Sequence, residues 1–291
     1  MTADEGSGGA RPTVTDGGTR PLATDGGASP AASDGSAGSG TARPTGSGRS
    51  PALVAFLGGL REYARTPVLL ALFAFLPAYL IGAFTRLVPS TTVPLPVPGD
   101  GTVATGMADV YAVFMTPLVG ALVGALAGVF LLQSTRDADA RFVVAGARPS
   151  SVLLARFGLL VAVGVLVSAV AVGTAATVRV PERPALLFAA TLLAALSYGL
   201  LGVLAGVVVD RLAGVYLALF GTMIDLFLVQ NPLSDGGEYD FLLPGHAPVE
   251  LAVDAGFSSE VALATAGEGL LWVLGIGVAT ALVLRRSMRV S

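Results

Sequence analysis

The sequence predicts an all-α integral membrane fold with six membrane-crossing helices, and three observations carry that expectation. Of 291 residues, 53% are hydrophobic and only 13% charged, roughly half the charged fraction of a soluble domain. Six apolar stretches each approach the roughly 20 residues needed to cross a hydrocarbon core. The arginines gather on alternate connections between those stretches, as the positive-inside rule requires.

The elements follow in chain order. Residues 1–50 are Gly, Ser, Thr, Ala, Pro and Asp with few large apolar side chains, and Thr15-Asp16-Gly17-Gly18 recurs as Thr24-Asp25-Gly26-Gly27. Such a segment buries too little apolar surface to offset its ordering entropy, so a disordered cytoplasmic tail is expected. It lacks the apolar core of a signal peptide. Over 51–66, Leu53, Phe56, Leu57, Leu60 and Ala64 share one helical face, away from Arg61, Glu62 and Arg65. This reads as an amphipathic helix lying in the membrane interface. The six spans are placed at 68–88, 111–133, 157–178, 185–209, 212–233 and 261–284. Only Asp210 and Arg211 separate the fourth from the fifth, so a tight turn is required there.

With the amino terminus inside, the cytoplasmic side receives Arg49, Arg61, Arg65, Arg136, Arg141, Arg148, Arg156, Arg211, Arg285, Arg286 and Arg289. The outside receives Arg86, Arg179 and Arg183, the last two being the exception to the rule. The connection 234–260 holds Asp235, Glu238, Asp240, Glu250, Asp254 and Glu260 and no basic residue, which suits a solvated external loop. Both termini are therefore expected in the cytoplasm of a multi-pass plasma-membrane protein.

Composition also excludes chemistry. The chain has no cysteine, one histidine and no lysine, all 17 basic residues being arginine. Disulfides, thiolate metal sites and cysteine nucleophiles are ruled out, and one histidine builds no His-rich metal centre, so no metal site is expected. Without lysine there is no P-loop and no Schiff base, so an energy source of that kind would lie in another chain. No basic surplus points to nucleic acid. An intramembrane protease would want an embedded histidine or paired acids at one depth. His246 lies in the 234–260 connection between prolines, where it reads as a loop residue.

Four constellations stand out. The connection STRDADARFVVAGARPSSVLLARFG, 134–158, permits a short helix from Asp137 to Ala145, ended at Gly146 and restarted by Pro149 and Ser150. It reads either as an ordinary positive-inside loop or as a docking element. Gly120, Gly124 and Gly128 form a small-residue face in the second span, and Gly202 with Gly206 repeats it in the fourth, as close helix packing in lipid demands. Asp225 and Glu268 fall inside the fifth and sixth spans, about 10–12 Å below the external end. Buried carboxylates of this kind mark either an ion or substrate path or a polar end of a span. Thr222, Gln230 and Asn231 share the helix of Asp225. Trp272 is too deep for an interfacial anchor and reads as packing.

The layout resembles the permease subunit of an ABC-2 type transporter. The resemblance rests on PALVAFLGGLREYARTPVLLALFAFLPAYLIGAF at 51–84, RDADARFVVAGARPSSVLLARFG at 136–158 and YDFLLPGHAPVELAVDAG at 239–256. Asp137, Asp139, Phe142, Val143, Val144, Pro149 and Arg156 fill the family's pattern in the first cytoplasmic loop, with arginine where lysine is more usual. The resemblance implies a six-span, type V exporter-like fold with an elbow helix, paired with a second permease subunit and driven by a separate ABC ATPase. No cofactor is then expected in this chain, ATP being used by the partner. Asp137, Asp139, Arg141, Phe142 and Arg148 become candidates for coupling to that ATPase, and no enzymatic activity is expected here. The alternative is an ion-coupled secondary transporter or channel using Asp225 and Glu268.

Overall fold

The computed structural model describes residues 53, 56–61, 67–97, 101–144, 149–234, 237, 239–258 and 263–290, with side chains outside 67–72, 133–153 and 287–290. The tail 1–50 and Arg148 lie outside the described residues. The helices are α1 (Pro67–Leu87), α2 (Met107–Val144), α3 (Pro149–Ala175), α4 (Pro184–Val208), α5 (Arg211–Thr222), α6 (His246–Phe257) and α7 (Leu263–Val290). A π-helical segment, Met223–Val229, continues α5.

Five stretches are long and apolar enough to cross a bilayer: Met107–Leu132, Leu154–Ala175, Pro184–Val208, Arg211–Val229 and Leu263–Arg286. These make the chain a multi-pass membrane protein. The first expected span, 68–88, corresponds to α1, whose described side chains supply the shorter apolar stretch Phe73–Leu87. Of the interfacial helix expected over 51–66, residues 56–61 are described and helical. Phe56 and Gly59 face Gly158 and Leu159 of α3, while Leu53, Leu57 and Leu60 are exposed.

The bundle is organised around α2. In its spanning window 89% of residues are buried, against 22% for α7, so α2 is the axis and α7 a peripheral helix. Its tightest partner is α4. A Cβ added at Gly120 would lie 2.8 Å from the carbonyl oxygen of Thr191. Gly124 approaches Ala195 O, Gly128 approaches Gly199 O, and Gly202 approaches Ala125 O more closely still. Gly206 faces Val129 and Leu132. The glycines of each helix therefore receive the backbone carbonyls of the other, a separation only glycine permits.

Four threonines in the apolar interior satisfy their hydroxyls locally. Thr85 donates to Ile81 O, Thr116 to Val113 O, Thr191 to Leu187 O and Thr280 to Ile276 O, at 2.7–2.8 Å. Each bonds a carbonyl one turn back, the inexpensive solution where no water is available.

Three features depart from the sequence expectation. First, the fold is not purely helical. Strands β1 (Thr92–Val97) and β2 (Gly101–Gly106) form an antiparallel hairpin between α1 and α2, in register from Thr92↔Gly106 to Val97↔Gly101. Pro94 and Pro96 share one parity, so their missing N–H groups lie along the unpaired edge. Leu95 and Val97 are buried against Val110, Val113, Leu187 and Leu251, which supports a two-stranded unit that would be marginal alone. Gly101 takes φ +77° at the turn.

Second, the short helix expected at 137–145 is not a separate element. Helix α2 runs unbroken to Val144, and the next helix starts at Pro149. Nothing in 133–144 interrupts the backbone bonds, since the stretch lacks proline and glycine. Asp137, Asp139, Arg141 and Phe142 therefore sit on an extension of α2.

Third, part of the connection 234–260, expected as a solvated loop, is a buried helix. This is α6, in which Ala247–Val249 and Leu251–Phe257 are buried. Arg179 and Arg183 meet the carboxyl end of this helix. Arg183 N donates to Ala255 O at 2.9 Å, Arg179 Nη2 lies 3.4 Å from Gly256 O, and the Arg179 guanidinium stacks 4.7 Å from the Phe257 ring centroid. Arg179 also pairs with Asp109 at 3.7 Å. The Arg179 guanidinium so placed satisfies one of the last carbonyls of α6 and opposes its dipole, whereas Arg183 contributes its backbone amide. The required turn between α4 and α5 is made by Asp210, whose carboxylate accepts from Ala213 N at 2.8 Å as an N-cap. Arg211 then lies 4.8 Å from the centroid of Phe130 on α2.

Gly128→Val should destabilise the protein by about 3 kcal/mol or more, because the added atoms meet backbone that cannot yield. Gly275→Val, where a Cβ meets nothing within 4 Å, should be near neutral. Thermal unfolding of both variants in detergent decides the matter; equal losses would overturn the α2–α4 seam.

Candidate functional site

A buried polar network occupies the hairpin end of the bundle. It begins at Tyr198, which the buried face of α4 turns inward. A phenol in an apolar span needs a partner, and its hydroxyl donates to Asp225 Oδ2 in a buried hydrogen bond. The same oxygen receives Gly245 N at 3.3 Å. Asp225 is 7% exposed, and its other oxygen, Oδ1, has no hydrogen-bond partner among the described residues.

The backbone around Asp225 explains how it reaches these groups. Met223–Val229 is π-helical, and Gln230 N donates to Asp225 O at 2.9 Å, closing a turn one residue wider than α. Such segments are uncommon and recur at functional sites. Gly245 makes the other half of the contact possible. A Cβ there would lie 2.9 Å from both Asp225 Oδ1 and the Tyr198 hydroxyl.

From Asp225 the network continues outward. Gln230 Nε2 donates to Asp240 O at 2.9 Å, and its Oε1 lies 3.3 Å from His246 Nδ1. His246 Nε2 lies 3.3 Å from Glu250 Oε2, which also accepts from Thr265 on α7 at 3.2 Å. Glu268 and Asp240 act on His246 electrostatically. His246 is thus not a loop residue but the first residue of α6. It joins three elements: the end of the π-helical segment, α6 and α7.

The pair lies outside the spanning helices, and its titration is shifted in opposite directions. The hydrogen bond to Glu250 raises His246 above 6.5; burial opposes this, and the Glu250, Glu268 and Asp240 charges add to it. The hydrogen bond to His246 lowers Glu250 below 4.5, against burial and with help from the His246 charge and Thr265.

The two carboxylates singled out in the spans do not form a facing pair. Asp225 is held by Tyr198 and Gly245, while Glu268 sits on α7 near His246. Gln230 and His246 lie between them in the network. Thr222 is buried beside Asp225 with an unpartnered Oγ1, whereas Asn231 Oδ1 caps its own turn by accepting from Leu233 N at 3.0 Å. Tyr198, Glu250 and Thr265 were not singled out from the sequence. A tyrosine alone within the apolar run of α4 was the available signal for the first; the other two depend on how α6 folds. Trp272 packs against the core as expected.

A cleft of about 580 Å³ lies between α4 and α5. Small residues are among its lining, Gly202 and Ala205 on α4 and Ala218 and Gly221 on α5. Its walls are apolar, with Leu201, Leu204, Val208 and Leu217 among them. Tyr198, Thr222 and Asp225 gather at one end, under Leu243 and Pro244.

The remaining candidates lie elsewhere. Asp137, Asp139, Arg141 and Phe142 are on the far extension of α2, at the opposite end of the bundle from the hairpin. No cluster of three metal-ligating side chains occurs among the described residues. No protein-family model matches the chain, and no curated protein is similar to it.

A sign follows for pH. His246, raised, stabilises the docking of α6 below its unfolded value, and this is lost as pH rises through its folded value. Glu250, lowered, stabilises above its unfolded value, and this is lost as pH falls through its folded value. Docking is therefore tightest between about 4.5 and 6.5. Amide exchange in α6, corrected for intrinsic rates, should be slower near about pH 6 than near about pH 8.5, with the difference gone in His246→Gln. Unchanged pH dependence in that variant would exclude His246 as the cause.

Proposed function

We propose that the chain is the membrane permease subunit of an ABC-2 type transporter. In this reading it has six crossings in the plasma membrane, with both termini in the cytoplasm and the hairpin end outside. Two such subunits pair and export cargo with the energy of a separate ABC ATPase. The observation that carries the reading is the extension of α2. Its spanning stretch ends at Leu132, and the helix continues over 133–144, about 18 Å further at 1.5 Å per residue. This arm carries Arg136, Asp137, Asp139 and Arg141, and α3 resumes at Pro149. The most buried helix of the bundle thus has a charged, rigid end beyond the apolar span.

A force applied to that arm acts on the axis of the fold. Helix α4 would follow α2, since glycine-to-carbonyl contacts leave no slack between them. Helix α5 is less constrained, being separated from α4 by the cleft. Seating the arm in an ATPase groove would use Phe142 as an apolar anchor and Arg141 and Arg148 as charged partners. A change in that groove would then move the α2–α4 pair against α5. The acid-rich hairpin end and the arginines Arg61, Arg211, Arg285 and Arg286 at the other support the orientation.

A second reading, ion-coupled transport through Asp225 and Glu268, is favoured by the polar network from Tyr198 to Thr265. It differs in needing no ATPase. The test is affinity purification of the full chain from native membranes. A nucleotide-hydrolysing subunit should co-purify with wild type and be lost with Arg141→Ala/Phe142→Ala, at unchanged membrane insertion. Transport by the purified chain alone, driven by an ion gradient, would overturn the ATPase reading in favour of the second.

A further inference from the structure

We propose that the α4–α5 cleft binds a lipophilic molecule bearing one hydrogen-bond-donating head group, in its simplest form a fatty amine or fatty alcohol, admitted from the plane of the bilayer. Its role as a cargo site rests on the transport reading; the site itself is built from this chain alone.

Size, walls and mouth point to an apolar body. The volume, about 580 Å³, falls within the range of roughly 300–1,000 Å³ typical of small-molecule sites. The mouth opens on the outward apolar belt, because the lining residues Val208, Leu217 and Ile224 are themselves strongly exposed. A ligand dissolved among acyl chains reaches it without crossing water.

The closed end points to a donor. Asp225 Oδ1 and Thr222 Oγ1 are buried there without hydrogen-bond partners, in residues 7% and 1% exposed. An unmet buried acceptor is costly. The Tyr198 hydroxyl and the Gly245 amide already donate to Asp225 Oδ2. Asp225 Oδ1 is left as an acceptor and the Thr222 hydroxyl can accept or donate, so an ammonium or hydroxyl head can donate to both, whereas a carboxylate would set a second acid against Asp225. Both free oxygens are sealed from the cleft surface, so engagement takes a rotation of the Asp225 carboxyl and the Thr222 hydroxyl. The π-helical turn, whose hydrogen bonding is already loosened from α geometry, carries the residue that must rotate.

The test uses the full chain in lipid nanodiscs with photoactivatable dodecylamine, dodecanol and dodecanoic acid, and maps labelled peptides. Amine and alcohol should label α4 and α5 saturably, with the acid about tenfold weaker, the loss expected for one hydrogen bond to a charged acceptor. Asp225→Asn should narrow that preference. A Cβ at Gly221 meets nothing within 4 Å, so Gly221→Phe fills the mouth without moving backbone and should abolish saturable labelling. Labelling of the outward α7 residues Leu271 and Leu274 should stay unsaturable in every variant. Equal labelling by the three probes, or saturation that survives Gly221→Phe, would overturn the proposal. So would efficient disulfide-linked dimers from Gly221→Cys, a unique thiol in this chain, since a second copy would then cover the cleft. Saturable binding without any ATPase partner would leave the site standing while the transport reading failed.

Discussion

Contact between the backbones of α2 and α4 is the constraint from which the rest of the structure follows. In lipid, apolar side chains gain nothing by leaving solvent for one another, so helices associate through van der Waals contact at close range. Glycines at 120, 124 and 128 on one helix and at 202 on the other let carbonyl oxygens enter where side chains would stand. The pair so formed is the rigid centre, with α1 and α3 packed around it and the outer faces of α5 and α7 left apolar and exposed. Between α4 and α5 a cleft lined in part by small residues remains instead of a seam.

The same solvent governs the polar groups. Several interior threonines bond their own helices, and the larger groups collect at the hairpin end, where α6 brings partners to them. Helix α6 is fixed at both ends by different means. At its carboxyl end Arg179 and Arg183 satisfy the last carbonyls; at its amino end Gly245, His246 and Glu250 tie it to the π-helical segment and to α7. The Arg179 side chain thus has a structural role, which a statistical rule about insertion does not weigh.

These features are mechanically connected. The arm at 133–144 belongs to the same helix whose glycines grip α4, and α4 carries Tyr198, the partner of Asp225. A displacement of α2 at one end therefore reaches the polar end of the cleft through two contacts. Coupling of this sort needs no continuous chain of polar residues, only a rigid pair and a neighbour free to separate from it.

The sequence by itself determined the membrane class, the approximate position of five long helices, the glycine faces and the turn at Asp210. Each is set by local composition, spacing or capping, which act within one element. The hairpin was partly legible in the alternation of Thr92–Val97 and the turn before Gly101, yet its stability depends on burying Leu95 and Val97 against distant helices. Only the tertiary structure decided that residues 246–257 of the acidic connection fold inward as α6, that Asp225 meets Tyr198 across 27 positions in sequence, and that His246 bridges Gln230 and Glu250. The candidate site is assembled from four elements, so no periodicity within one of them records it. In lipid the partner of a buried polar group is whichever element packing brings near, and that is settled by the seam between α2 and α4.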